Sequence, residues 1–142
     1  AQFDAFDGAW TSWTPTWTNL TVGNATQSCA YVQIGKTVHF RLRLTFGTTT
    51  SMGTSPTFTL PVAAITYPGT EAVIVTNLAR FVDTGTASYI GAAQINGTTK
   101  ALLVLLTASG TYTQITNALT ATLPHTWANT DEILLTGSYE AA

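Results

Sequence analysis

Few side chains in this sequence could act as a nucleophile, a base or a metal ligand. The candidates are two histidines, His39 and His125, and a single cysteine, Cys29. No Gly-x-Ser-x-Gly motif is present and no obvious base lies beside Cys29, so nothing indicates nucleophilic catalysis. His39 falls on the polar face of a predicted strand, where a solvated or interface histidine is the commoner role. His125 follows Pro124 in a predicted loop, where we expect it to be exposed.

The seven acidic residues are scattered along the chain. Glycoside hydrolysis needs two carboxylates that face one cleft, whereas the adjacent Asp131 and Glu132 would point to opposite faces of a strand. No Cys or His cluster has metal-ligand spacing, and residues 4–8 fall well short of a calcium loop. We therefore predict no enzymatic activity, no metal and no cofactor, although an ion on a trimer axis would leave no such pattern.

Arg41 and Arg43 lie together with His39 on one face of the same predicted strand. This small basic face could bind an anionic sugar or an acidic patch on a neighbouring chain. A solvated or inter-subunit face is the interpretation that the sequence favours.

The composition is that of one nearly uncharged domain. The chain has 142 residues, of which 45% are hydrophobic and 8% charged, with a formal net charge of −2. Such a charge gives no attraction to nucleic acid or anionic lipid. The apolar run at residues 101–106 is far shorter than the ~18 residues of a membrane-spanning helix. The sequence begins with alanine, and no secretory signal pattern follows, so we read it as trimmed or as a piece of a longer chain.

Strand patterns dominate the sequence and no helix is predicted. Residues 36–46 alternate between apolar and polar side chains, which indicates a strand with one buried face, and Gly35-Lys36 suggests a hairpin before it. About eight such segments, separated by Gly, Pro and Asn, predict an all-β, antiparallel, jelly-roll-like β-sandwich.

Two segments, residues 72–75 and 101–106, are apolar on both faces. In a sandwich only one face of a strand meets the core, so the second face needs a cover, either a loop of the same chain or another subunit. We expect the subunit, because no helix is predicted that could serve as a lid. The predicted trimer interface is formed by Val73, Val75, Leu102, Val104 and Leu106.

Residues 1–17 differ in kind from the rest and are read as a junction before a single domain at residues 18–142. Their five large aromatic side chains could stack on a sugar ring or pack the module onto its neighbours. Packing is favoured, because large aromatic residues are more often buried than displayed. The aromatic residues are Phe3, Phe6, Trp10, Trp13 and Trp17, and the last three are the predicted packing residues.

Three stretches resemble a recurrent C-terminal module of tail-fibre and minor-tail proteins of tailed bacteriophages. They are the string from Trp13 with its Trp-Thr-Pro-Thr-Trp sequence, the Tyr-Val-Gln-Ile-Gly-Lys sequence at residues 31–36, and the Trp-Ala-Asn-Thr-Asp sequence at residues 127–131. The resemblance covers almost the whole chain, from about Trp10 to its last residue. It implies a compact β-sandwich, commonly trimeric, exposed on a virion and able to contact a bacterial surface.

The leading hypothesis is a trimeric fibre tip that binds a host-surface glycan without cleaving it. Its partners would be copies of itself, upstream fibre or other virion proteins, and the glycan, with no nucleic acid and no membrane insertion. Aromatic residues near predicted loops are the candidate ligand-binding residues, together with one histidine: Tyr67, Tyr112, His125 and Trp127. The rival hypothesis is a purely structural trimerising or decoration module of the tail or capsid, and a third is a depolymerase.

Overall fold

The chain forms strands wherever β-branched and aromatic residues alternate with polar ones. The structure, a computed structural model, describes residues 8–69 and 73–142, so Phe3, Phe6 and Ala72 lie outside the described residues. Ten strands run through the described parts. They are β1 (Thr11–Ser12), β2 (Trp17–Thr21), β3 (Thr26–Ile34), β4 (Thr37–Thr45), β5 (Ser51–Thr59), β6 (Ala79–Asp83), β7 (Ala87–Asn96), β8 (Lys100–Ser109), β9 (Tyr112–Ala118) and β10 (Glu132–Glu140).

All of these strands belong to one antiparallel sheet. The order of hydrogen-bonded neighbours is β1-β3-β4-β10-β6-β7-β8-β5-β2, and β9 pairs with β8. β8 pairs with β5 through Lys100 to Leu102 and with β9 from Val104 onward. The all-β prediction is confirmed for the described residues, and none of their elements is a helix that could cross a membrane.

The sheet curls around its own core. Phe40 on β4 and Phe58 on β5 are five places apart in the strand order, yet their ring centroids are 6.2 Å apart. Only a curled sheet can bring them into contact. The concave side therefore holds the core, whose largest fully buried side chains include Phe40, Phe58, Phe81, Leu44, Leu103, Leu119 and Ile133. The finer description as a jelly-roll sandwich stays a prediction.

The strand predicted at residues 36–46 is confirmed. Along β4 buried and exposed residues alternate, and Val38, Phe40, Leu42 and Leu44 face the core. The hairpin before it is also confirmed, since Ile34 pairs with Thr37 across a two-residue turn at Gly35-Lys36. Gly35 has a φ of 58°, a backbone conformation that glycine adopts without steric cost.

The Gly-, Ser- and Thr-rich sequence at residues 47–56 predicts a turn, and this prediction is wrong, because β5 already begins at Ser51. The sequence there is rich in Gly, Ser and Thr and shows no apolar alternation. Its strand partner is β2, where Leu20 pairs with Met52 and Thr21 with Ser51. A long-range partner thus imposes extended structure on a segment whose local sequence predicts a loop.

The sequence pattern at residues 71–83 predicts a single strand, and in the described part of it, residues 73–83, the structure shows an interruption. β6 covers its second half, and residues 73–77 continue in the same place between β7 and β10. Val75 N donates to Ala93 O at 3.0 Å, and Ser138 N donates to Val75 O at 2.9 Å. Leu78, between the two parts, is 67% exposed. The interruption therefore turns a large apolar side chain outward.

Candidate functional site

The convex face of the sheet carries a row of side chains that crosses four strands. Arg43 of β4 pairs with Leu134 of β10, Leu134 pairs with Arg80 of β6, and Arg80 pairs with Ile90 of β7. Residues paired across neighbouring antiparallel strands project on the same side of the sheet. The four side chains therefore form one continuous row on the outside of the molecule.

A groove lies along this row, and we call it the arginine groove. It encloses about 410 Å³ and is open to solvent. Its lining combines cationic groups, hydroxyl groups and exposed apolar groups. The lining side chains are Ser28, Arg41, Arg43, Leu78, Arg80, Leu134 and Thr136, with Leu42 and Leu135 beneath.

All three arginines of the chain line this groove. Arg43 forms a salt bridge with Glu132. Arg80 donates to Ser88 Oγ from Nε at 3.2 Å and from a terminal nitrogen at 3.0 Å. The Arg41 guanidinium lies over the Trp10 ring, 4.8 Å from its centroid. Among the described residues no carboxylate forms a salt bridge with Arg41 or Arg80, so the groove carries uncompensated positive charge.

The three predicted packing tryptophans take two different positions. Trp13 and Trp17 pack on Phe58, with ring centroids 6.1 and 5.5 Å away, and so join the core. Trp10 is 48% exposed and borders the arginine groove through its contact with Arg41. The segment predicted as a junction thus contributes strands and core side chains to the sheet, and it also places one aromatic ring at the groove.

The four predicted ligand-binding residues do not form one site. Tyr67 is partly buried, and its hydroxyl accepts from Glu140 N at 2.9 Å. Tyr112 is 79% exposed at the start of β9. His125 and Trp127 do lie together, with ring centroids 4.3 Å apart. Only Tyr112 displays most of its ring to solvent.

The expectation that His125 is exposed is wrong, because only 8% of this residue is accessible. Its ring stacks on Tyr89 at 5.6 Å, and Nε2 lies 3.1 Å from Asp131 Oδ2. Trp127 in turn stacks on Phe46 at 5.0 Å. A polar residue after a proline suggests a solvated loop, but here neighbouring aromatic side chains cover it.

Asp83, His125 and Asp131 offer ligand atoms that all lie within 4.8 Å of one another, so within the described ranges this cluster could hold a metal. Asp131 already accepts hydrogen bonds from Thr84 N at 3.0 Å and from Ala128 N at 2.7 Å. These bonds tie the loop before β10 to the turn after β6. The hydrogen bonds of Asp131 therefore brace these two loops against each other.

The remaining candidate for covalent chemistry is buried. Cys29 is a buried residue of β3, and its burial raises the pKa of the thiol. A protonated, inaccessible thiol is a poor nucleophile. His39, in contrast, is exposed on β4 and does not line the arginine groove.

The predicted trimer-interface residues differ in exposure within the single chain. Val75 and Val104 are each 3% exposed. Val73, Leu102 and Leu106 are partly exposed. Other parts of the same chain therefore already bury Val75 and Val104, as the alternative of an intramolecular cover requires. These two residues need no partner subunit to bury them.

A second exposed region, which is mostly apolar, lies beside the arginine groove. Leu106 of β8 pairs with Ile115 of β9, and both line a shallow depression together with Ile74 and Ala92. Ile115 is 46% exposed and Ile74 39%. We use the name apolar strip for Ile74, Ala92, Leu106 and Ile115. Large apolar side chains grouped on a surface are typical of an interaction site.

Sequence reasoning found part of the arginine groove. Arg41 and Arg43 stand out because they alternate with buried residues on β4. Arg80 and Leu134 could not be assigned to the same place, because their pairing joins residues 54 positions apart in the sequence. Comparisons of the chain with protein-family models, with curated proteins and with solved structures find no match.

Proposed function

We propose that this chain is a surface module of a tailed-phage virion, of the kind found at fibre or tail tips, that attaches to host-cell glycan without cleaving it. The observation that carries the proposal is the arginine groove, an open surface depression that combines hydroxyl, apolar and cationic groups. Shallow sites of this composition suit polymeric saccharides, whose hydroxyls need hydrogen-bond partners and whose ring faces pack on apolar side chains. The sequence resemblance to phage tail modules supplies the setting.

The composition of the groove favours binding over hydrolysis. Glycoside hydrolysis takes two carboxylates that flank the scissile bond. Among the described residues that line the arginine groove there is no Asp or Glu, and the nearby Glu132 is held by Arg43. Within the proposal the groove therefore retains its ligand unchanged.

The test uses bacteria that differ in their surface polysaccharide. The labelled protein is incubated with a panel of strains, each with its polysaccharide intact or chemically stripped, and cell-bound protein is measured. We expect binding that is lost on stripping, with no oligosaccharide released into the medium. Equal binding to stripped and intact cells contradicts glycan attachment, and released oligosaccharide indicates a depolymerase instead.

The apolar strip favours a second candidate, a structural module that trimerises or decorates the tail or capsid. Its exposed Ile74 and Ile115 would be covered by a neighbouring copy in a jelly-roll-like trimer. Light scattering decides whether the chain self-associates. If the strip is the contact, Ile115→Glu converts an oligomer into a monomer while Gln114→Glu, an exposed position on the opposite face of β9, does not. A wild-type monomer contradicts this second candidate.

A further inference from the structure

The cationic side chains of the protein are distributed unevenly. The chain has five Lys and Arg residues against seven Asp and Glu residues. In spite of this net negative balance, all three arginines meet in one groove. Of the two lysines, Lys100 donates to Thr18 Oγ1 at 3.1 Å and does not line the groove. The groove is therefore a local positive site on a weakly acidic protein.

Two of the three guanidinium groups are held in place and still have capacity to bind an anion. Ser88 Oγ orients Arg80, and the Trp10 ring supports Arg41. Guanidinium has five N–H donors in a planar fork that matches the two oxygens of a carboxylate. Since these side chains are already positioned, binding costs less conformational entropy than it would for free arginines.

The spacing of the arginines suits a polymer with repeated charges. Arg41 and Arg43 project from the same face of β4, two residues apart, which corresponds to about 7 Å. Arg43 and Arg80 are separated by one strand, β10, which corresponds to about 10 Å. By the same geometry Arg41 and Arg80 lie about 12 Å apart, a distance over which one polymer chain can present more than one anion.

The other lining residues favour sugar rings between those charges. Leu78, 67% exposed, and Leu134 present apolar surface on which the C–H face of a pyranose can pack. Ser28 and Thr136 supply hydroxyl groups next to them. A bare polyphosphate has no apolar surface that could pack on the leucines.

From this arrangement we infer that the arginine groove binds an acidic polysaccharide through carboxylate groups on its sugar units. Arg41 and Arg80 contact the carboxylates, and Leu78 lies against a ring. The inference rests on the proposed function and specifies the chemical class of the glycan.

The test measures binding of the purified protein to immobilised polymers by biolayer interferometry. The probes are polygalacturonate, the neutral glucan dextran, polyphosphate and poly-glutamate. We expect binding to polygalacturonate that weakens with rising salt, and at least tenfold weaker binding to the other three. Preference for polyphosphate or poly-glutamate, or no binding to polygalacturonate, overturns the inference.

A pair of double variants with equal charge change separates the groove from general electrostatics. Arg41→Gln/Arg80→Gln removes two cations from the groove, and Lys36→Gln/Lys100→Gln removes two elsewhere. We expect at least a tenfold loss for the first and less than a twofold change for the second, with circular dichroism confirming that both fold. Equal losses overturn the inference.

The polymer assay and the cell assay distinguish the two possible failures. If intact cells bind the protein in a glycan-dependent way but polygalacturonate does not, the acidic class is wrong and the proposed function stands. If neither cells nor polygalacturonate bind, both are wrong.

Discussion

At the scale of single residues, Tyr139 shows how one buried polar group joins distant parts of the chain. Its hydroxyl donates to Val62 O at 2.7 Å and accepts from Val62 N at 3.1 Å, so it forms hydrogen bonds with both backbone polar groups of Val62. The residue is 5% exposed, and burial raises its pKa from 10.0 to about 12. The segment after β5 is thereby fixed to β10.

This shift in pKa predicts a loss of stability in alkali. Between pH 10 and 12 the unfolded chain has released the Tyr139 proton while the folded chain still holds it, so the free energy of unfolding falls as the pH rises. Below pH 10 the contribution is present in full. We expect Tyr139→Phe to cost about 1–2 kcal/mol at neutral pH and to remove this part of the slope. Denaturant titrations at several pH values test it, and an unchanged slope contradicts it.

The control is Tyr112→Phe. Tyr112 is 79% exposed, so we expect its replacement to leave the stability at neutral pH unchanged.

His125 is the residue at which sequence and structure diverge most. The sequence predicts an exposed ligand-binding histidine, whereas the structure places its ring against Tyr89 and Trp127 and next to Asp131. Local sequence could not predict this, because the covering side chains come from β7 and from the following loop. His39, Arg41 and Arg43 were predictable, because alternation within one strand assigns them to the exposed face.

We predict that His125→Ala lowers stability without affecting polysaccharide binding. Removing the ring leaves a cavity in the aromatic stack and deprives buried Asp131 of one partner, which together cost about 2–4 kcal/mol. Chemical denaturation measures the loss, and biolayer interferometry measures binding below the unfolding transition. Weaker polysaccharide binding by a folded His125→Ala variant would contradict this prediction and would indicate that His125 contacts the ligand.

At the scale of elements, the segment at residues 73–77 lies between β7 and β10 and contributes to the convex face of the sheet. Gly137 allows this segment to approach, because a Cβ atom at this position would collide with the Val75 carbonyl oxygen. Gly91 has a similar role against Phe81 and Val104 O. The strands themselves were largely predictable from alternation, but such close approaches depend on pairing between distant strands, which the sequence pattern does not contain.

Gly137→Ala is therefore expected to destabilise the protein. The obstructing atoms are backbone atoms of residues 75 and 76, so relief requires the segment to move, at a cost of about 1–3 kcal/mol. Ser138→Ala, an exposed neighbour, is the matched control and should change stability by less than about 0.5 kcal/mol. Thermal and denaturant unfolding of the two variants compare the costs, and equal stability contradicts the close approach of residues 75 and 76 to Gly137.

At the scale of the whole molecule, a curled sheet buries its concave face and leaves its convex face exposed to solvent. Charged residues are only 8% of the chain, and the three arginines nevertheless lie together on the convex face. The curl follows from contacts such as that between Phe40 and Phe58, which join strands far apart in the sheet. Alternation along β4 predicts a buried and an exposed face, but only the complete strand order shows that Arg80 belongs beside Arg43.

The most direct test of attachment through this face is the binding of wild type and Arg41→Gln/Arg80→Gln to a strain selected from the panel for its acidic surface polysaccharide. We predict that the wild-type protein binds these cells and that the variant, folded to the same extent, binds at least tenfold more weakly. Lys36→Gln/Lys100→Gln should bind like wild type. Undiminished binding by the arginine variant would contradict attachment through the arginine groove.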